Sequence, residues 1–102
     1  MKNISVEELK ARMDAGENLH LIDVREPNEY QEFNIGAKLI PLGKIMSMQA
    51  DELDDLKDEE IILHCRSGKR SATAGLFLES MGFTNTVNVT GGVLAWQEKF
   101  GG

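Results

Sequence analysis

The sequence predicts an α/β fold of three layers, with a mostly parallel sheet of about five strands between helices. Three observations predict it. The short runs "HLIDV", "EIILH" and "TVNV" are continuously apolar rather than alternating, which marks strands covered on both faces. Segments with helical spacing separate these runs, and strands that alternate with helices build a parallel sheet. At 102 residues the chain has apolar material for one such core and not two, so one domain over residues 1–102 is expected.

Each element has a local reason. Asn3-Ile4 reads as a brief edge strand. Ser5-Val6-Glu7-Glu8 is a capping-box pattern; with Leu9, Met13 and a stop at Gly16 it predicts a helix over residues 6–15. The run "NLHLIDV", bounded by Gly16 and Glu26-Pro27, is a buried strand over residues 18–24. Pro27 suits the first turn of a short helix over residues 28–32. "GAKLIPL" supplies a small strand between Gly36 and Pro41, and residues 44–56 have helical spacing through Ile45, Met48, Leu53 and Leu56. After the strand "EIILHC", the positions Ala74, Leu76, Phe77, Leu78 and Met81 form an amphipathic helix over residues 72–81, ending at Gly82. "TNTVNV" is a strand over residues 84–89. "GGVLAWQEKF" is a closing helix that starts at Gly91-Gly92 and carries Trp96 as a core aromatic.

Composition excludes several functions. With 41% hydrophobic and 27% charged residues and no low-complexity tract, the chain is globular in character. Its net charge is −6, whereas a nucleic-acid binder needs a basic face to displace counterions, so no nucleic-acid partner is expected. The start, "MKNISVEELKARMDAG", has no apolar stretch of the kind a secretory signal or membrane anchor requires. A cytoplasmic location and no membrane partner are therefore expected. One cysteine forms no internal disulfide, and one cysteine with two histidines is short of a structural zinc site. No metal and no cofactor are expected, and His20 reads as structural.

Charge distribution points to a site. The segment "DELDDLKDEE", residues 51–60, holds seven acids and one lysine, and the remainder of the chain balances at ten acids and ten bases. That acidic segment reads as a solvated helix end and loop. Against the neutral remainder, Arg66, Lys69 and Arg70 put three cations within six positions of Cys65. Cys65 ends a strand, and Cys65-Arg66-Ser67-Gly68-Lys69-Arg70-Ser71 leads into a helix. Ligands of such sheets bind beyond the carboxyl ends of the strands. Asp23 and Arg25 at one strand end and Gly91-Gly92 at another converge on the same mouth. Backbone N–H groups at the helix start point together as an anion nest, and Gly68 permits the turn. A thiol there is acidified by converging donors and nearby Arg and Lys, which marks Cys65 as a nucleophile. His64 precedes it but points to the opposite side of the strand, in a structural, hydrogen-bonding role.

At this point the sequence resembles the rhodanese (thiosulfate sulfurtransferase) family, in its small single-domain form, over nearly its whole length. "LIDVREPNEY" with "IGAKLIPL" is similar to the family's first motif region, "HCRSGKRS" to its loop Cys-x-x-Gly-x-Arg, and "VTGGVLAW" to its closing element. One departure is Phe33-Asn34-Ile35, where the family usually has Gly-His-Ile; it leaves the chemistry in place and alters packing beside the first strand. The resemblance implies a rhodanese-like fold and double displacement. Cys65 takes the outer sulfur of an anionic donor such as thiosulfate as a persulfide, then yields it to cyanide or a thiol, including a thioredoxin-like or other sulfur-accepting protein.

The residues fit that scheme. N–H groups from Arg66 to Ser71 would stabilise a charged outer sulfur, with Arg66 and Lys69 as clamps for the donor. Arg70 points into the mouth or pairs with a carboxylate, and we take the first. Asp23 and Arg25 read as an ion-pair framework for the loop. Two other functions remain as alternatives. One is a persulfide carrier or interaction module, with residues 51–60 as its docking face. The other is a cysteine-dependent phosphatase or arsenate reductase. Phosphatases of that type carry His-Cys-x5-Arg, whereas four residues separate Cys65 from Arg70, a loop suited to one sulfur atom. Gly101-Gly102 is similar to the tails of sulfur carriers but reads as a flexible end.

Overall fold

The structure is a computed structural model and describes residues 1–101. Its elements in chain order are β1 (Lys2–Ile4), α1 (Val6–Asp14), β2 (His20–Asp23), α2 (Pro27–Glu32), β3 (Lys38–Leu39) and α3 (Leu42–Met46). A 3-10 helix (Asp51–Leu56) precedes β4 (Ile61–His64), α4 (Lys69–Ser80), β5 (Thr86–Val89) and α5 (Gly92–Phe100). The five strands form one sheet in the order β1-β5-β4-β2-β3, and every neighbouring pair is parallel.

Period-two alternation sorts the buried strand residues between two cores. Ile61 and Leu63 of β4 join Ile22, Ile45, Leu53, Ala74 and Leu78 beneath α3, the 3-10 helix and α4. Ile62, Leu21, Val87 and Val89 face the opposite way and pack with Val6, Leu9, Ala95 and Trp96 of α1 and α5. The sheet is therefore the middle of three layers, as the non-alternating runs require. Trp96 is only partly buried and meets Phe100 edge-on at 5.0 Å, so it seals the border of its core. The capping box at Ser5 forms: the Ser5 hydroxyl accepts the Glu8 N–H at 3.1 Å. Among the described residues no helix is long and apolar enough to cross a membrane.

Two helices differ from expectation. The spacing over residues 44–56 is realised as α3 and the 3-10 helix, separated at Ser47–Ala50, and Met48 takes a left-handed φ of 59°. Ile45 and Leu53 are buried, but Met48 is 66% exposed, so the regular spacing joined a surface methionine to two core anchors. The helix expected over residues 72–81 begins at Lys69, with Gly68 as its N-cap and no capping side chain to mark the start. At the other end, Gly101 caps α5, its N–H donating to the Gln97 carbonyl. The tail reading of Gly101-Gly102 otherwise falls on Gly102, outside the described residues.

The order of the strands positions the site. From β2 the chain moves outward to β3, and from β4 it moves the opposite way to β5. Connections that diverge at adjacent strand ends open a crevice between them. The ends of β2 and β4 flank it, with Asp23 in register with His64.

Candidate active site

Cys65 follows β4 at this crevice and is 1% exposed. Its sulfur has an unusual local role. Helix α4 has no side-chain N-cap, and a helix start carries N–H groups that need acceptors. The Gly68 N–H donates to Cys65 Sγ at 3.1 Å and the Ser71 N–H, in the first turn, donates at 3.4 Å. Sulfur thus stands where a Ser or Asp oxygen normally caps a helix, at the positive end of the helix dipole. The turn depends on Gly68, whose φ is 98°.

Burial pushes the thiol up. Hydrogen bonding outweighs it, through the Ser71 hydroxyl when it turns to the sulfur and the N–H groups of Ser71, Gly68 and Ser67, so the thiol lies below its ordinary value. The expected acidification is present, but its main source is hydrogen bonding rather than Arg and Lys. Arg66, Ser67 and Lys69 are exposed on the outside of the loop. Arg70 corrects the sequence reading. It lies in the first turn of α4 and forms a bidentate pair with Glu29 of α2, at 2.7 and 2.9 Å, instead of pointing freely into the mouth. Paired donors in a fixed fork match a carboxylate better than open solvent does. The pair holds Glu29 down to about 2.

Asp23 and Arg25 form a buried pair, Arg25 Nη2 to Asp23 Oδ2 at 2.8 Å, and Arg25 Nη2 also donates to the Phe33 carbonyl at 2.6 Å. They brace the segment after β2, in keeping with a framework role. The Phe33-Asn34-Ile35 departure is built into this frame. Asn34 Oδ1 accepts the Gly36 N–H at 3.0 Å, and Ile35 packs under α1 and α5. His64 does face away from Cys65, but it makes no hydrogen bond at Nε2, which lies 3.6 Å from Asp23 Oδ2. Its tie to the Cys65 backbone is in keeping with the expected structural, hydrogen-bonding role, and the ring lines a narrow space with Val6, Leu9 and Trp96. His20 starts β2, where it is only half-buried.

Gly91-Gly92 reaches the site from behind. The N–H groups of Val93 and Leu94 donate to the carbonyls of Cys65 and Arg66 at 2.9 and 3.0 Å, so α5 abuts the loop end-on. A Cβ on Gly92 would strike the Cys65 carbonyl oxygen. Beside the loop lies an open groove of about 170 Å³, lined by Arg25, Glu32, Phe33, Arg66 and Leu94 among others. Among the described residues no three His, Cys, Asp or Glu side chains are grouped to hold a metal ion.

Two residues of the site escaped the sequence reading. Asn88 of β5 is buried beside the loop: its Oδ1 accepts the Ser71 hydroxyl at 2.5 Å and its Nδ2 donates to the Gly68 carbonyl at 3.3 Å. A lone amide inside the apolar run "TVNV" was the signal, since a buried amide needs partners. Glu29 had no signal, because its partner is 41 positions away.

What fold and site define is an α/β protein with an activated cysteine at its topological switch point. Comparison with known proteins narrows that class. The model of the rhodanese-like domain matches residues 5–99, and the chain belongs to the rhodanese-like family of sulfurtransferases. It is 43% identical over 98 residues to a Bacillus subtilis protein named as the sulfurtransferase YtwF, covering 95% of this chain and 91% of that one. It is 38% identical over 97 residues to YrkF of the same organism, named as a sulfur carrier protein; that match covers 94% of this chain but only 51% of YrkF. A crystal structure of a rhodanese-like domain protein from Staphylococcus aureus superposes with a TM-score of 0.82 at 34% identity, over 94% of this chain and 91% of that one.

Proposed function

We propose that the protein moves a sulfane sulfur from a small anionic donor such as thiosulfate to cyanide or a thiol, with the sulfur held as a persulfide on Cys65. The observation that carries this reading is Cys65 Sγ in the capping position of α4, receiving N–H donors across a loop of four residues before Arg70. The Cys65 thiolate attacks the outer sulfur of thiosulfate; the bond from that sulfur to the sulfonate breaks, and sulfite leaves with the electron pair. The outer sulfur now carries the negative charge, which the same N–H groups and the helix dipole stabilise. A nucleophile attacks the outer sulfur, taking it away and returning the thiolate. Exposed Arg66 and Lys69 draw the anion in, and the groove beside Arg66 gives it room. The cytoplasm suits this chemistry because it keeps thiols reduced.

A specific observation favours a second reading, a persulfide carrier served by a partner protein. Cys65 is 1% exposed, so a free donor reaches it only as the loop side chains part; the match to YrkF accords with this. Intact mass after thiosulfate treatment tests the persulfide. One added sulfur atom on the wild type, absent from Cys65→Ser, is the expected result; no addition, or an addition that survives the substitution, overturns it. Steady-state kinetics separate enzyme from carrier, kcat/KM on the order of 10⁴ M⁻¹s⁻¹ or more marking the enzyme.

A further inference from the structure

Asn88 is 6% exposed and Ser71 fully buried, and their contact fixes where one proton lies. Asn88 Nδ2 faces two acceptors, the Gly68 carbonyl at 3.3 Å and Asn3 Oδ1 at 3.4 Å. The amide is therefore oriented with Oδ1 toward Ser71. Two oxygens 2.5 Å apart need a proton between them, and only the Ser71 hydroxyl has one. Ser71 Oγ also lies 3.4 Å from Cys65 Sγ. With its proton on Asn88, the hydroxyl offers the sulfur a lone pair, which suits an S–H and not a thiolate. When Cys65 ionises, the hydroxyl must either keep that lone pair against the thiolate or swing to the sulfur and leave a buried amide oxygen unpaired. Either course cancels part of the help Ser71 gives the thiolate. A persulfide has its charge on the outer sulfur, so the hydroxyl rests on Asn88 at no cost.

We propose that Asn88 is a positioning residue for sulfur transfer: it holds the Ser71 proton away from Cys65 Sγ, which keeps the thiolate nucleophilic and favours its loading with sulfur. This rests on the sulfurtransferase reading above. The charged and titratable groups around Cys65 are Arg66 and Lys69 on its loop, Arg70 of α4 with Glu29 of α2, and His64, Asp23 and Arg25 at the ends of β4 and β2. Among the described residues none of them hydrogen-bonds the side chain of Asn88 or Ser71, whose partners are Asn3, Gly68, Cys65 and each other.

The test is the pH profile of iodoacetamide alkylation of Cys65. Asn88→Leu frees the hydroxyl for the thiolate, so the midpoint falls by about half a unit, a threefold change in ionisation. The plateau rate falls about 1.7-fold, since nucleophilicity declines with basicity. In a Ser71→Ala background, Asn88→Leu produces no fall. A residue that merely braced the loop through the Gly68 carbonyl would loosen the donors and raise the midpoint. A rise or no change in Asn88→Leu, or an equal fall without the Ser71 hydroxyl, overturns the proposal. Ser71→Ala alone provides a second judgement should Asn88→Leu not fold: it raises the midpoint by less than about half a unit, and a larger rise overturns the proposal. At a fixed thiosulfate-to-sulfite ratio, intact mass shows a smaller persulfide fraction in Asn88→Leu than in the wild type. A wild type that takes up no sulfur defeats the sulfurtransferase reading instead, while the alkylation arms still decide whether Asn88 holds the proton.

Discussion

Cys65 Sγ lies 3.1 Å from the Gly68 nitrogen, and that contact depends on a φ of 98° that glycine takes freely. A side chain in left-handed backbone costs roughly 1–2 kcal/mol, enough to turn the peptide and carry its N–H off the sulfur. A Cβ there would also press on the Gly91 nitrogen at 3.3 Å. Wild-type Cys65 is therefore expected to alkylate with a midpoint below the ~8.5 of a free thiol, and Gly68→Ala with a higher one. The pH dependence of iodoacetamide labelling reads both. At this scale the residues of the loop were legible in sequence, since a glycine three positions after a strand-end cysteine implies a turn. The orientation of Arg70 was not, because Glu29 comes from another helix.

At the scale of elements, the site is the meeting of two helix starts on one loop. Helix α4 presents N–H groups to the sulfur, and α5 presents N–H groups to the carbonyls of Cys65 and Arg66. The loop is thereby held on both sides, by donors in each case. Gly92→Ala puts a methyl group against the carbonyls of Cys65 and Arg66. Overpacking against backbone costs about 1–3 kcal/mol, so a lower urea midpoint is expected together with loss of sulfur loading in the mass assay. Full loading in a destabilised variant would show that α5 supports the fold without shaping the loop. The early start of α4 has the same origin: a sulfur acts as its cap, and no sequence rule for Ser, Thr, Asp or Asn caps finds it.

For the whole molecule, acid stability is governed in part by His64. Burial lowers it, with Asp23 opposing and Arg25 adding to the effect. The unfolded chain thus takes up a proton near ~6.5 that the folded chain refuses, and stability falls as pH drops below that value. One proton sets the slope at up to about 1.4 kcal/mol per pH unit. Urea unfolding across this range is expected to show that decline in the wild type and a flatter one in His64→Gln. By itself the sequence determined the parallel three-layer fold, the strand that ends at Cys65 and the glycine-containing loop, because apolar period and turn chemistry are local properties. Only the tertiary structure decided that Arg70 is tied to Glu29, that His64 has no hydrogen bond at Nε2, and that Asn88 competes for the Ser71 proton. Those outcomes depend on distances between segments far apart in the chain, which packing of the sheet sets and residue order does not reveal.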